Sequence, residues 1–207
     1  MGKIIFMRHG KPDDVDKDGQ RLYDMSAGLS ESGRAEVRRA GEIITRLYNP
    51  KYLVSSTSPR AWQTAEQINM VIGKNFEIQE IGIDEEMVTD VTPRPSNLPM
   101  EVIKKCEVSA SRAYAEALRT LKELQSIGVE GDVVHVTHRN RMVMIKWALL
   151  HGKEPTDEEF LAFANHHRDN LFKLQQQSED TKFCAMFAVD MNAEKGKQIE
   201  YPYQICS

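Results

Sequence analysis

The sequence has little cysteine, no long apolar run and no secretory pattern. Its three cysteines, at positions 106, 184 and 206, are odd in number and widely spaced, which does not indicate a disulfide framework. No apolar run reaches the roughly 18 residues of a membrane span, and Arg8 closely follows the short apolar stretch near the N-terminus. We therefore expect a cytoplasmic protein with reduced cysteines and no membrane partner.

The sequence also has no excess of positive charge, since its formal net charge is -4 at pH 7. This balance argues against non-specific nucleic-acid binding, which usually needs a basic surface. A length of 207 residues suits one domain with a small inserted cap. We therefore expect a single domain over residues 1–207, with a cap or lid around residues 86–99, where three prolines interrupt regular structure.

Strand and helix patterns alternate along the chain. Continuous apolar or period-two runs predict six strands, at residues 4–7, 52–54, 76–81, 132–137, 183–189 and 199–205. Apolar residues spaced by three and four predict helices from Ser30 to Asn49, over about 60–72, from Ile103 to about Gln125, and over 142–150. This alternation is typical of a three-layer α/β/α fold whose mostly parallel central sheet has about five to six strands.

Basic and hydroxyl side chains follow three of the predicted strands. Arg8 and His9 follow the first strand, Ser55–Arg60 follows the second, and His138 follows the fourth. Because the carboxyl ends of parallel strands share one edge of a sheet, these groups can converge there. A cluster of guanidinium and imidazole groups suits a phosphate dianion, since arginine makes paired hydrogen bonds to phosphoryl oxygens.

Four segments, in this order, resemble motifs of the histidine phosphatase superfamily, also called phosphoglycerate mutase-like. They are Arg8-His9-Gly10, Leu29–Gly33, Ser55–Ala65 and Val134–His138. The Arg-His-Gly tripeptide alone recurs by chance, but the ordered set covers most of residues 3–150. The resemblance implies the phosphoglycerate mutase-like fold.

The resemblance also implies roles for the clustered residues. His9 would attack phosphorus and become transiently phosphorylated. Arg8, Arg60 and His138 would hold the phosphoryl oxygens and neutralise the charge of the transition state. Neither a metal ion nor another cofactor is expected, because these side chains supply the electrostatic stabilisation.

The same resemblance places a general acid just after the third strand. Glu85 matches best by its distance from Ile83, and Glu86 is the close alternative. The acid would protonate the leaving oxygen and afterwards activate water. The alternative interpretation is that both carboxylates are solvated and have no catalytic role.

Two departures from the family pattern bear on the substrate. Arg139 and Arg141 follow the second histidine, where the family often has small residues, and they suit a second anionic group on the substrate. Residues 11–18 lack the asparagine that the mutase branch carries, which favours the phosphatase branch.

The resulting hypothesis is a phosphomonoester hydrolase that works through a phosphohistidine on His9 and accepts a small phosphorylated metabolite. One alternative is a phosphatase of phosphoproteins, including phosphohistidine itself. Another is a phosphate-binding module without turnover. The sequence is compatible with a homodimer formed through the last strand, but nothing in it requires one.

Overall fold

The computed structural model of the chain describes residues 2–14, 26–81, 88–89, 107–127, 130–164, 184–193 and 199–201. The strands in this part are β1 (Lys3–Arg8), β2 (Pro50–Ser55), β3 (Ile78–Glu80), β4 (Val88–Thr89), β5 (Glu107–Val108), β6 (Asp132–Thr137), β7 (Met186–Asp190) and β8 (Ile199–Glu200). The helices are α1 (Glu31–Leu47), α2 (Pro59–Ile72), α3 (Ala110–Ile127) and α4 (Arg139–His151), and residues 157–164 are also helical.

Six of the described strands form the central sheet in the order β3-β2-β6-β1-β7-β8. The first four are parallel to one another, whereas β7 and β8 are antiparallel to their neighbours. The predicted α/β class, with a mostly parallel sheet of five to six strands, is therefore confirmed. The third strand along the chain, β3, lies at the edge of the sheet.

The alternation of side chains along β1 divides the interior into two apolar clusters. Ile4 and Phe6 lie in the cluster that also contains buried residues of α3 and α4. Ile5 and Met7 lie in the opposite cluster with buried residues of α1 and α2. Since successive strand residues point to opposite faces, the fully apolar sequence of β1 serves both layers of helices.

Capping residues determine where the helices begin. Helices α2 and α4 begin close to the ends of β2 and β6. Ser30 caps α1 by accepting a hydrogen bond from the Gly33 N–H, and Ser58 caps α2 by accepting one from Ala61. Pro59 occupies the first position of α2, where a missing N–H costs nothing. α4 ends at Gly152, which has a φ of 64°, a conformation that favours glycine.

Three predicted boundaries are wrong. The helix predicted over 142–150 already starts at Arg139. The helix predicted to run from Ile103 is interrupted at residues 107–108, which belong to β5, and its described part starts at Ala110, while residues 103–106 lie outside the described residues. Ser109 starts α3, because its hydroxyl accepts a hydrogen bond from the Arg112 N–H at 3.3 Å. The strand predicted from residue 183 starts only at Met186, since the φ of 57° at Cys184 does not fit an extended chain.

Most of the predicted cap lies outside the described residues. Of residues 86–99, the structure describes Val88–Thr89, which pairs in parallel with Glu107–Val108 as a separate two-stranded sheet. The predicted final strand is described over Ile199–Glu200. The single-domain organisation and the cap therefore stay predictions.

The described residues bear on two features of the sequence, its lack of membrane-spanning segments and its cysteines. None of the helices in this part of the chain has the length and hydropathy that a membrane span requires. Cys184 is a buried free thiol, while Cys106 and Cys206 lie outside the described residues.

Gly33 allows the loop after β1 to pack on the first turn of α1. A Cβ at this position would overlap the backbone carbonyl oxygen of Lys11. We expect Gly33→Ala to lower the free energy of unfolding by about 1–3 kcal/mol through overpacking, although glycine to alanine usually stabilises a helix interior. Urea unfolding followed by circular dichroism measures this change.

The control is the exposed neighbour Ser32, for which Ser32→Ala should change the free energy of unfolding by no more than about 0.5 kcal/mol. An unchanged or raised stability in Gly33→Ala would contradict the close packing at Lys11.

Candidate active site

Three adjacent strands end at the site. β1 and β6 pair with Arg8 opposite Thr137, and β2 and β6 pair with Ser55 opposite Val136. The hydrogen bonds continue one residue past the strand ends, because the His9 N–H donates to Thr137 O at 3.0 Å and the Ser56 N–H donates to Val136 O at 3.0 Å. The residues that follow the three strands are therefore held beside one another.

The backbone determines which nitrogen of His9 carries a proton. Nδ1 lies 2.8 Å from the carbonyl oxygen of Gly10, and a carbonyl oxygen only accepts hydrogen bonds. Nδ1 therefore holds the proton in the neutral ring, and the lone pair is on Nε2. The ring is buried, so this lone pair belongs to an imidazole shielded from bulk water.

Thr64 connects the turn after β1 to the start of α2. Its hydroxyl accepts a hydrogen bond from the Gly10 N–H at 3.0 Å and donates one to the Arg60 carbonyl oxygen at 2.7 Å. Gly10 is required here, since a Cβ would come within 2.6 Å of a Val37 methyl group. These hydrogen bonds fix the backbone of Gly10, and with it the adjacent His9, relative to the backbone of Arg60.

His138 lies next to His9 and contacts the turn before α2. The two ring centroids are 5.1 Å apart. Nε2 of His138 lies 2.9 Å from Ser56 Oγ and 3.3 Å from Ser58 Oγ. His138 also precedes the first residue of α4 without capping it by its side chain, so it lies at the positive end of the helix dipole.

Burial and positive neighbours keep His9 neutral. Its pKa is well below the ordinary value of 6.5, first because burial removes the solvation of the charged form, and then because His138, Arg8 and Arg60 repel a further positive charge. The hydrogen bond to Gly10 acts in the opposite direction and is the weaker influence. The site therefore combines an uncharged imidazole with surrounding cations, an arrangement suited to a nucleophile for an anionic substrate.

Arg141 occupies a different place from the one predicted. It is buried in α4, and its Nη2 donates to Glu116 Oε2 at 3.0 Å. This ion pair with the protein favours a structural role over contact with substrate. Arg139 is half-buried at the first position of α4. Glu85 and Glu86, the candidates for the general acid, lie outside the described residues.

The residues that hold the site together do not stand out in the sequence. Ser56, Ser58 and Thr64 were recognised only as parts of the second motif. Their positions, in a hydroxyl-rich turn and one helical turn after Arg60, were available signals. Glu116 was missed, although an acidic residue spaced by three and four from Ala113 and Thr120 marks a charge on the buried face of a helix.

Among the described residues, no group of three histidine, cysteine, aspartate or glutamate side chains is placed to hold a metal ion. The described part of the site presents imidazole, guanidinium and hydroxyl groups. These groups bind phosphoryl oxygens directly.

Solved structures of phosphatases share the fold. A mycobacterial glucosyl-3-phosphoglycerate phosphatase is 17% identical with a TM-score of 0.59, covering 90% of this chain and 89% of that one. The phosphoserine phosphatase of Entamoeba histolytica is 14% identical with a TM-score of 0.58, covering 97% and 95%. SixA from Agrobacterium tumefaciens, provisionally assigned as a phosphohistidine phosphatase, is 19% identical with a TM-score of 0.53, covering 97% and 98%.

No curated protein sequence matches the chain, and at these identities the structural matches establish the fold alone. The sequence profile of the histidine phosphatase superfamily (branch 1), however, matches residues 4–177, which is most of the chain and includes every strand end at the site. The chain therefore belongs to the histidine phosphatase superfamily, branch 1.

Proposed function

We propose that the protein is a phosphomonoester hydrolase that transfers the phosphoryl group of a small phosphorylated metabolite to His9 and then to water. The observation that carries this proposal is the neutral, buried His9, whose Nδ1 is committed to Gly10 and whose pKa is lowered by burial and by neighbouring cations. Family membership supports the same chemistry.

In the first step, Nε2 of His9 attacks phosphorus, the P–N bond forms and the bond to the leaving oxygen breaks. Glu85, or Glu86 as the alternative, gives a proton to that oxygen. In the second step, a water molecule gives its proton to the same carboxylate and attacks the phosphohistidine. Inorganic phosphate leaves, and Nε2 regains its lone pair.

Positive charge stabilises both transition states. Arg8, Arg60 and His138 hold the three non-bridging oxygens, and α2 and α4 begin at this edge of the sheet. The partial positive charge of each helix N-terminus adds to that of the side chains. Because the groups are buried and already in place, little reorganisation is needed when charge develops on the oxygens.

Hydrolysis is favoured over mutase activity, since residues 11–18 lack the asparagine associated with the mutase branch. Arg139 is proposed to contact a second anionic group of the substrate. The phosphatases of glucosyl-3-phosphoglycerate and phosphoserine among the similar structures support a small phosphorylated substrate. The likeness to SixA favours phosphohistidine on a protein as the second candidate.

A cytoplasmic location is part of the proposal. Burial raises the pKa of the Cys184 thiol well above its ordinary value, so this cysteine is poorly suited to disulfide exchange. A reduced, buried cysteine fits a reducing compartment.

His9→Ala is expected to lower turnover of an aryl phosphate by on the order of 10³-fold or more, since no other group replaces the nucleophile. The wild-type protein, quenched during turnover of a ³²P-labelled ester, should carry acid-labile, alkali-stable phosphate on His9. The matched control is His151→Asn at the far end of α4, which should hydrolyse the ester at the wild-type rate.

The same experiment separates the alternatives. Labelling from phosphohistidine peptides but not from metabolites would favour the phosphoprotein phosphatase. A folded wild-type protein that is protected from heat by phosphate, but shows no turnover of a broad panel of phosphate esters, would be a binding module and would overturn the proposal.

Acidification should destabilise the wild-type protein more than His9→Gln. In the unfolded chain His9 titrates near 6.5, whereas the folded-state pKa is well below this value. The unfolded state therefore binds more protons below about pH 6.5, so the contribution of His9 to stability is fully present above that pH and decreases as pH falls towards the folded-state pKa.

We expect the difference between the two proteins to reach at most about 1.4 kcal/mol per pH unit below pH 6.5. Urea unfolding between about pH 7.5 and about pH 5.5 measures it. Equal pH dependence in both proteins would show that His9 titrates normally in the folded state.

Glu85→Gln should slow hydrolysis of alkyl phosphates much more than hydrolysis of p-nitrophenyl phosphate. An alkoxide needs a proton to leave, whereas p-nitrophenolate leaves without one, so the difference between the two substrates should be on the order of 10²-fold. The matched control is Glu86→Gln, with kcat measured for both esters. If only Glu86→Gln shows the leaving-group dependence, the acid is Glu86.

A further inference from the structure

Arg141 is the largest side chain that is fully buried among the described residues. It lies in the first turn of α4, three residues after His138. A cation in the first turn opposes the helix dipole, and burial of an unpaired charge is costly. This position is therefore stable only when an anion is held beside it.

Glu116 on α3 is that anion. Its Oε2 accepts a hydrogen bond from Arg141 Nη2 at 3.0 Å, and its Oε1 accepts one from Arg112 Nε at 3.0 Å. The two arginines differ in exposure, since the side chain of Arg141 is 0% exposed and that of Arg112 is 70% exposed. The interaction with Arg112 is screened by solvent, so the buried contact is the one that constrains the structure.

Apolar residues of α3 and α4 also pack against each other. Both helices contribute to one cluster, with Ala113 and Ala117 on α3 and Met142 and Ile145 on α4. Apolar packing is non-directional, so it resists separation of the helices more than sliding along their axes. A hydrogen-bonded ion pair has a defined distance and direction, and it specifies where the first turn of α4 stands relative to α3.

We propose that the Glu116–Arg141 ion pair positions the first turn of α4, and with it His138, for phosphate binding. The pair acts through the helix and does not touch the substrate. Its role is geometric, because buried ion pairs contribute little net stability compared with apolar groups of similar size. The inference rests on the proposed phosphoryl transfer at His9.

The consequence for activity follows from the chain connectivity. His138 links the end of β6 directly to α4, and its Nε2 faces Ser56 and Ser58 on the neighbouring turn. A small shift of the first turn would move the imidazole away from both hydroxyls. Misplacement by about 1 Å can lower the rate on the order of 10²-fold.

The experiment compares Glu116→Gln, Arg141→Met and the double variant with the wild-type full-length protein. Isothermal titration calorimetry with inorganic phosphate gives ligand affinity, and hydrolysis of an aryl phosphate gives kcat and KM. The imidazole ¹H–¹⁵N signals of His138, assigned with a His138→Gln variant, report its position with and without phosphate. Arg112→Met is the matched control, since it removes the exposed arginine from the same carboxylate.

We expect all three pair variants to lose phosphate affinity by a similar factor and kcat/KM by on the order of 10²-fold, with a shifted His138 signal. The double variant should be no worse than the single variants, because the two residues act as a unit. Its melting temperature should lie within about 5 °C of the wild type. Arg112→Met should stay within roughly twofold of wild-type activity.

Two results would overturn the proposal. If the folded double variant keeps wild-type phosphate affinity, kcat/KM and His138 signal, the pair serves stability alone. If Arg141→Met is impaired while Glu116→Gln is not, Arg141 contacts the substrate directly. The double variant decides the matter even where a single variant fails to fold, because it leaves no buried unpaired charge.

Failure of the proposed function is distinguishable from failure of this inference. A wild-type protein that hydrolyses no phosphate ester contradicts the function. Phosphate binding and the His138 signal need no turnover, so they still test whether the pair positions the helix.

Discussion

Parallel pairing of β2, β6 and β1 is the constraint on which the site depends. The register between Arg8 and Thr137, and between Ser55 and Val136, brings three carboxyl ends to one edge. The chain must then leave the sheet at that edge, and α2 and α4 begin there. One arrangement of the backbone thus supplies both the functional side chains and two positive helix ends.

The cost of this arrangement is a buried concentration of positive charge. Arg8, Arg60 and His138 surround His9, and cations held close together destabilise the folded protein. His9 lowers the cost by staying neutral, which is also the state required of the proposed nucleophile. The anion that the site is proposed to bind would compensate the remaining charge, so ligand binding and folding are expected to favour each other.

Arg141 shows how the fold deals with a further cation in the same region. It follows His138 by one helical turn, and Glu116 on a different helix compensates its charge. The sequence suggested that Arg141, like Arg139, would meet a second anionic group of the substrate, because both follow His138 where the family often has small residues. Its side chain is buried because of the way α4 packs against α3, and the local sequence pattern does not predict this packing.

What the sequence alone determined is the order of the elements and the identity of the motif residues. The apolar run before Arg8, the hydroxyl-rich turn before Arg60 and the strand before His138 are local features, and local features specify strands, helix starts and turn residues. They were sufficient for the fold class and for the cluster of cations. The boundaries near Ser109 and Cys184 were less predictable, since apolar periodicity continues past a point where capping or backbone conformation ends the element.

Only the tertiary structure decided which atoms meet. The two hydroxyls facing His138 and the partner of Arg141 depend on distances between segments remote in sequence. The proton on Nδ1 of His9 depends on the backbone conformation that brings the adjacent Gly10 carbonyl oxygen to the ring. The strength of a hydrogen bond or ion pair changes when the distance between its atoms changes by a few tenths of an ångström. Hydrophobic patterning, in contrast, specifies only which face of an element is buried. The sequence by itself therefore determined which groups reach the edge of the sheet, and packing decided their protonation, their partners and their orientation.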